Sequence, residues 1–311
     1  MRYQVVLAGA GHAHLYVAAQ AERLARAGIG VVLVEPRVFW YSGLATGMLA
    51  GQYDPRLDRI HPARLVKRRG GVFLRDRLTG IDPGRRTAHL ASGRTLPYDA
   101  LSLNLGSATD RRGIPGAAAQ AWAVKPVANL WRLRRELERR FARARGSLQR
   151  AVVVGGGPTG CEVAACLDPL ARRPGGALET TLVTGTDRLL AGMPRGASRA
   201  MARALGKKGV RVRCPARVEG IEPGAVILAG GERLQAGIIV AATGLRAPAT
   251  VAGLGLSRDG GKGVRVGASL QSVDQERVFA VGDCASLAGH RLPNLGVFGV
   301  RQAPILLHNL A

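Results

Sequence analysis

The sequence is poor in cysteine and in long apolar runs, and each shortage excludes a class of protein. Its four cysteines, Cys161, Cys166, Cys214 and Cys284, form no C-x-x-C pair and have no histidine at metal-ligand spacing. This spacing predicts reduced, isolated thiols in a cytoplasmic protein and no metal site. No apolar stretch approaches the roughly 18 residues of a membrane span. The N-terminus enters a strand pattern directly, without the apolar segment of a secretory leader.

Acidic residues are scarce as well, with 21 Asp and Glu against 45 Lys and Arg, a net charge of +24. A basic surface favours nucleic acids, anionic lipids or acidic proteins as partners. Aromatic residues make up only 4% of the chain, and no helix-turn-helix, zinc-finger or RNP pattern is present, so the sequence disfavours nucleic acid. Two interpretations of the basic surface stay open: it is simply solvated, or it makes a peripheral contact with the inner face of an anionic membrane.

Two apolar strand patterns each lead into a glycine-rich turn, and the first turn departs from the dinucleotide-binding pattern at one position. In Val6–Ala18, VLAGAGHAHLYVA, Gly9 and Gly11 take their places in G-x-G-x-x-G, but His14 replaces the third glycine. The first glycine allows a tight turn, and the second lets the backbone approach a pyrophosphate at the helix N-terminus. Because those two are present, the histidine is tolerable. His12 and His14 are open to two interpretations, packing or contact with a cofactor.

The second turn, Val152–Ala164 or VVVGGGPTGCEVA, carries the complete pattern, and the segments after the two turns correspond. I-D-P-G at Ile81–Gly84 matches I-E-P-G at Ile221–Gly224, and each is followed by a hairpin and a strand that runs into Gly106 or Gly244. One glycine motif is weak evidence, but two in register with matching downstream segments are strong. The sequence therefore predicts an α/β protein with two Rossmann-like, three-layer dinucleotide-binding domains.

The residue that follows the second strand of each block bears on the nucleotide. Glu35 stands there in the first block, where a carboxylate accepts hydrogen bonds from an adenosine ribose. The second block has Thr184 at this place, with Arg188 nearby. Because no acid stands at this place, the nucleotide of the second block is left open between NADH and NADPH.

A third motif, RVFAVGDCA at Arg277–Ala285, places Asp283 after a short strand, where its carboxylate can accept hydrogen bonds from a polyol chain. GAGHAH, GGGPTG, ATG at Ala242–Gly244 and VFAVGD together resemble the two-dinucleotide-binding flavoproteins of the pyridine nucleotide-disulfide oxidoreductase superfamily, over nearly the whole chain. GAGHAHL, FWYSGLATGMLAGQY, YDALSLNLGS and GVFGVRQAPILLHNL resemble the type II NADH dehydrogenase-like group. That group includes the flavoprotein module fused to selenide, water dikinase in some bacteria.

The resemblance implies FAD in the first block, NAD(P)H in the second, and a discontinuous FAD domain that the chain returns to complete. The implied FAD-binding domain is 1–125 with 265–311, the basic connecting helix is 126–150, and the NAD(P)H-binding domain is 151–264. The FAD contacts implied are Gly9, Gly11, His12, His14, Glu35, Pro36, Arg37, Ser42, Gly43, Gly106, Gly282, Asp283, Gly296 and Val297. The NAD(P)H contacts implied are Gly155, Gly157, Pro158, Thr159, Gly160, Thr184 and Gly244.

The expected chemistry is hydride transfer from NAD(P)H to flavin N5, followed by reduction of a quinone or another small acceptor. This transfer demands alignment rather than an acid or a base. Tyr41, Lys125 and Gln302 are the side chains predicted to contact the reacting region. The loop Pro36–Gly51, which contains Tyr41, has no cysteine, so no redox-active disulfide is expected.

Other interpretations stay open beside this one. A flavin-containing binding protein would use the basic surface for nucleic acid or another anionic partner, and a selenium-associated flavoprotein would rest on resemblance alone. The chain is also compatible with a homodimer.

The segment Asn129–Arg145 has apolar residues at helical spacing with arginines opposite, which predicts an amphipathic helix.

Overall fold

The structure is a computed structural model that describes residues 3–143, 146–173, 175–260 and 263–311. Its α-helices are α1 His12–Ala19, α2 Ala21–Arg26, α3 Ala45–Ala50, α4 Pro62–Arg68, α5 Ala117–Gln120, α6 Ala128–Arg143, α7 Pro158–Ala171, α8 Arg195–Lys207, α9 Ala249–Ala252 and α10 Gly296–Leu310. Its strands up to residue 123 are β1 Tyr3–Ala8, β2 Ile29–Val34, β3 Phe39–Trp40, β4 Arg59–Ile60, β5 Val72–Leu74, β6 Leu78–Asp82, β7 Thr87–Leu90, β8 Thr95–Pro97, β9 Ala100–Leu103, β10 Ala108–Thr109 and β11 Trp122–Ala123. The later strands are β12 Gln149–Val154, β13 Leu178–Val183, β14 Arg211–Arg213, β15 Val218–Glu222, β16 Ala225–Leu228, β17 Arg233–Gln235, β18 Ile238–Ala241, β19 Leu245–Arg246, β20 Val264–Val266, β21 Val278–Ala280 and β22 Ala285–Leu287.

The chain forms two compact units, and the first consists of Met1–Phe39, Arg59–Ala108 and Arg246–Ala311. Its centre is a five-stranded parallel sheet in the order β21-β9-β1-β2-β5. Because both faces of this sheet are covered, its inner strands are continuous apolar runs rather than alternating ones. Helices α1 and α10 pack on one face. The antiparallel strands β6-β7-β8 pack on the other.

The second unit, Trp40–Asp58 with Thr109–Leu245, repeats this plan. Its parallel sheet has the order β11-β18-β12-β13-β14. Helices α3, α6, α7 and α8 contribute to the core on one face. The antiparallel strands β15-β16-β17 cover the other. The predicted fold class, two Rossmann-like three-layer units, is confirmed.

The bounds of the units differ from the predicted domain limits in three places. The segment 40–58 and residues 109–125 group with the second unit, and 246–264 contains described residues that group with the first. The predicted connecting helix belongs to the second unit, because α6 buries Leu130, Leu133, Leu137 and Phe141 in that unit's core. The last two residues of the predicted helix 129–145 lie outside the described residues. The helical segment that follows the first turn is divided at Gln20 into α1 and α2.

Candidate functional site

The first glycine turn lies at the carboxyl end of β1 and is shaped by contact with Asn104. Gly9 has φ +89° and donates its N–H to Val34 O at 2.8 Å. A Cβ at Gly9 would lie 2.5 Å from Asn104 O, and one at Gly11 would overlap the Asn104 amide. The buried Asn104 side chain accepts the His14 N–H and donates to Val281 O at 3.0 Å. Sequence reasoning missed Asn104, although a polar residue ending the apolar strand ALSL was a usable signal.

His14 is fully buried, and protein atoms occupy both of its ring nitrogens. Nδ1 lies 2.6 Å from Gly9 O and Nε2 lies 2.8 Å from Ser102 Oγ. Because a carbonyl only accepts, Nδ1 carries the proton and the Ser102 hydroxyl donates to Nε2. Burial lowers the pKa of His14 to about 4, against a weaker opposing effect of the Gly9 carbonyl. Of its two interpretations, the geometry favours packing. His12 is half-buried and meets the Phe39 ring edge-on at 5.0 Å.

Glu35 follows β2 and holds the first turn through the backbone. Its carboxylate accepts the Ala10 N–H and the Arg37 N–H, each at 3.0 Å. Burial raises the pKa of Glu35, and these two N–H groups and the Arg37 charge partly oppose the effect. Pro36, between Glu35 and Arg37, is exposed. The carboxylate therefore stands beside the turn, where a ribose would be held.

The Gly-Asp motif after β21 is tied to α10. Gly282 has φ +67° and donates its N–H to Gln302 Oε1 at 2.7 Å. Asp283 accepts a hydrogen bond from Ser107 Oγ at 2.6 Å. Gly296 begins α10, whose first turn has no acidic residue and no side-chain cap, and Val297 is 46% exposed. The first unit thus contains Gly9, Gly11, His12, His14, Glu35, Pro36, Arg37, Gly106, Gly282, Asp283, Gly296, Val297 and Gln302 of the predicted residues.

The second glycine turn lines a cleft of about 330 Å³ at the carboxyl edge of its sheet. Gly155 has φ +123°, and a Cβ there or at Gly160 would overlap a backbone oxygen. α7 can therefore begin directly against the turn, with the N-terminal end of its dipole facing the cleft. The cleft is lined by Val124, Gly155, Gly156, Gly157, Pro158, Thr159, Ala242, Thr243, Gly244 and Leu245.

Two of the implied FAD contacts, Ser42 and Gly43, group with the second unit, as do Tyr41 and Lys125 of the side chains predicted for the reacting region. The Tyr41 ring, 41% exposed, packs over Gly43, where a Cβ would lie 2.7 Å from a ring carbon. Ser42 lies between them and is half-buried. The Lys125 N–H donates to Thr109 Oγ1 at 3.0 Å. The spacing of residues along the sequence does not show which unit they belong to, because the chain passes from the first unit to the second at residue 40 and returns at residue 59.

Both turns fit a dinucleotide, because each has a positive-φ glycine whose lack of a Cβ lets the turn pack directly against the neighbouring backbone. Thiol chemistry has little support: all four cysteines are free, and burial raises the pKa of Cys161, Cys166 and Cys284 to about 11. Over the described ranges, no group of three or more His, Cys, Asp and Glu side chains is arranged to hold a metal ion. Nor does any helix in them have the length and apolarity to cross a membrane.

Comparison with known proteins agrees with this geometry. Residues 3–303 match the pyridine nucleotide-disulphide oxidoreductase family. An NADH dehydrogenase-like protein of Mycobacterium tuberculosis is 28% identical over 305 residues, 91% of this chain and 73% of that protein. A type II NADH:quinone oxidoreductase of Haemophilus influenzae is 27% identical over 237 residues, 66% of this chain and 52% of that protein.

Among solved structures, a ferredoxin reductase of Rhodopseudomonas palustris superposes with a TM-score of 0.83 at 22% identity. The match covers 99% of this chain and 76% of that chain and shows the shared fold. The resemblance to the superfamily and to its NADH dehydrogenase-like members is confirmed, and the selenide, water dikinase link stays a prediction. The chain is an oxidoreductase that uses FAD and NAD(P)H, and it belongs to the pyridine nucleotide-disulphide oxidoreductase family.

Proposed function

We propose that the protein passes the electron pair of NAD(P)H, by way of FAD, to a lipid-soluble quinone or another small acceptor. The proposal assigns FAD to the first unit and NAD(P)H to the second. FAD, when bound, supplies a centre that takes up two electrons from reduced nicotinamide and releases them to the acceptor. No cysteine is needed, which agrees with the raised pKa values of the three buried or half-buried thiols.

The observation that carries the choice of acceptor is the exposed apolar face of α10. Val300 and Ile305 on this helix are 51% and 44% exposed, and Leu295 just before it is 46% exposed. The helix has Arg301 and His308 but no acidic residue. Clustered exposed apolar side chains mark interaction surfaces. An apolar face with basic residues suits an anionic membrane, the phase in which a long-chain quinone dissolves.

The same helix reaches the predicted FAD-binding motif. Gln302 projects from α10 and accepts the Gly282 N–H, next to Asp283. Phe298 and Leu295 line a small cavity together with these residues. The inward residues of α10 therefore contact the Gly-Asp motif while its outward residues present the apolar face. This arrangement supports an acceptor that approaches the first unit from a lipid surface.

The test uses the purified flavoprotein under anaerobic conditions. NADH and NADPH are added in turn while the flavin absorbance is followed, and the reduced protein is then mixed with ferricyanide or with a long-chain quinone in anionic vesicles. We expect bleaching by at least one donor and reoxidation by both acceptors. Failure of both donors to bleach the flavin contradicts the redox role, and reoxidation by ferricyanide alone contradicts the quinone.

A double substitution, Val300→Ser with Ile305→Ser, tests the α10 face itself. It should slow reoxidation by the vesicle-bound quinone and reduce sedimentation of the protein with the vesicles, while the ferricyanide rate is unchanged. Val273→Ser is the matched control, because Val273 is also in the first unit and 50% exposed but lies outside α10. Equal effects of the variant and the control would remove α10 as the lipid-facing surface.

A second candidate function, binding of an anionic macromolecule, is favoured by the outer face of α8. Arg195, Arg199, Arg203 and Lys207 recur every fourth residue, all are exposed, and none has an ion-pair partner among the described residues. Arg195 also stands at the positive end of the helix dipole, which is unfavourable for a cation. A short DNA duplex that binds at low salt and is lost in Arg199→Gln with Arg203→Gln would support this function.

A further inference from the structure

The two units place different residues at one equivalent position. In the first unit the turn residue Gly9 donates to Val34 O, and in the second Gly155 donates to Val183 O, both at 2.8 Å. The next residue of each strand is therefore equivalent, Glu35 in one and Thr184 in the other. Each also donates its N–H to the neighbouring strand at 3.1 Å. The second unit thus has a threonine where the first has a carboxylate.

The Thr184 side chain has little hydrogen-bonding capacity left for a nucleotide in place of that carboxylate. It is 7% exposed, and its Oγ1 lies 2.9 Å from Thr186 Oγ1. Its side chain packs against the turn, since a Cβ at Gly156 would lie 2.8 Å from the Thr184 Cβ. Without a negative charge at this point, the repulsion that excludes a 2′-phosphate is absent. Asp187, the acid of the following loop, is exposed and three residues farther along.

Arg188, which the sequence placed near this position, has a structural task. Its guanidinium donates to the carbonyl oxygens of Leu190, Ala191 and Met193 at 3.1, 2.6 and 2.9 Å. These bonds fix the loop between β13 and α8. A guanidinium shared among three carbonyls has few N–H groups left for a ligand, because it has five in all.

Arg217 is the arginine that remains available at the end of β13. A Cβ at the exposed Gly185 would lie 3.6 Å from both Cα and Cβ of Arg217, so the arginine stem runs beside Gly185. The backbone here is anchored on both sides: Ala216 donates to Thr184 O at 2.6 Å, and Ala229 donates to Arg217 O at 2.8 Å. Arg217 is exposed and has no ion-pair partner in the part of the chain that the structure describes.

We propose that the protein prefers NADPH to NADH and that Arg217 binds the 2′-phosphate beside Gly185. The inference rests on the proposed assignment of NAD(P)H to the second unit. An arginine near this strand end accommodates the 2′-phosphate in Rossmann-type sites, because the planar guanidinium donates two parallel hydrogen bonds to phosphate. The acid-free Thr184 position removes the opposing charge.

The first test measures binding without any redox step. Adenosine 2′,5′-bisphosphate and ADP are titrated by calorimetry into the flavoprotein, into Arg217→Gln and into Arg132→Gln. Arg132 on α6 is the matched control, exposed and without an ion-pair partner among the described residues of the same unit. The wild-type protein should bind the bisphosphate more tightly than ADP. Arg217→Gln should reduce that preference by about tenfold to a hundredfold, the loss of a charged hydrogen-bond donor.

The second test measures donor use in the same proteins and in Thr184→Glu. Arg217→Gln should lower kcat/KM for NADPH with little change for NADH, and Thr184→Glu should reverse the preference. Equal affinity of the wild-type protein for the two adenosine compounds, or an Arg217→Gln protein that keeps the preference, would overturn the inference. Flavin that neither donor reduces would contradict the proposed function, while the calorimetry still decides between the two nucleotides.

Discussion

Acid destabilisation of the first unit should depend on His14. Its pKa is lowered from 6.5 to about 4, so the folded chain keeps this ring neutral where the unfolded chain protonates it. When pH falls below about 6.5 the unfolded state binds a proton that the folded state does not, and stability falls until about pH 4. At about 1.4 kcal/mol per pH unit, the difference between 6.5 and about 4 is worth about 3 kcal/mol.

The perturbation is His14→Gln, which removes the titrating ring and keeps a side chain of similar reach. At pH 7 the variant should be less stable by about 1–3 kcal/mol, because the bonds to Gly9 O and Ser102 Oγ are weakened. Its stability should then depend less on pH than the wild type by about 1.4 kcal/mol per unit between pH 6 and 4. The two proteins should approach each other in stability as the pH falls.

Global unfolding is a poor probe here because two units with separate cores need not unfold together. Hydrogen exchange of peptides covering β1 and β9 reports the local opening free energy of the sheet on which His14 packs. His89→Gln is the matched control, an exposed histidine on β7 in the same unit. NMR titration of the wild-type histidines supplies an independent reading. Equal pH slopes for wild type and His14→Gln, or a His14 signal that titrates near 6.5, would refute the reasoning.

Three further predictions follow from the turns and thiols. Glu35→Gln should weaken FAD binding about tenfold and lower the stability of the flavin-free protein by about 1 kcal/mol, because the glutamine amide has one acceptor oxygen for the Ala10 and Arg37 N–H groups that the two carboxylate oxygens accept; flavin release and thermal melting measure the two effects. Gly160→Ala should abolish NAD(P)H binding and lower the free energy of unfolding by about 1–3 kcal/mol, because its Cβ would overlap Gly155 O. Gly206→Ala on α8, which has open space around it, should instead raise the free energy of unfolding by up to about 1 kcal/mol. A thiol reagent should modify Cys214 alone at a fast rate in the native protein and all four cysteines after unfolding, since the other three have pKa values near 11.

The repeated plan could be predicted from the sequence because its signals are local. The glycine turns, the apolar strand runs and the I-D-P-G and I-E-P-G hairpins each lie within a few residues, and the structure places all of them as expected in two parallel-sheet units. The amphipathic pattern of 129–145 likewise identified the buried residues of α6.

Contacts between residues far apart in the sequence could not be predicted. His14 departs from the glycine motif, and its packing role becomes clear only from the hydrogen bond between its ring and Ser102, 88 residues away. Asn104 acquires its role only from Gly11 and Val281, and Arg188 only from the carbonyls that surround it. The grouping of the segment 40–58 with the second unit has the same cause, because this segment packs with residues that come more than 70 positions later. Periodicity describes a segment's own shape, and its neighbours are set by packing.

The three-part construction of the first unit has a consequence for synthesis on the ribosome. β1 forms the middle of its sheet and is synthesised long before β21, the edge strand beside β9, which does not exist until Ala280 has been translated. The 109–245 stretch can meanwhile assemble its own sheet, whose strands all fall within it. The usual order, in which the N-terminal domain matures first, is therefore reversed. The segments Met1–Phe39 and Arg59–Ala108 must wait, partly folded, for Arg246–Ala311.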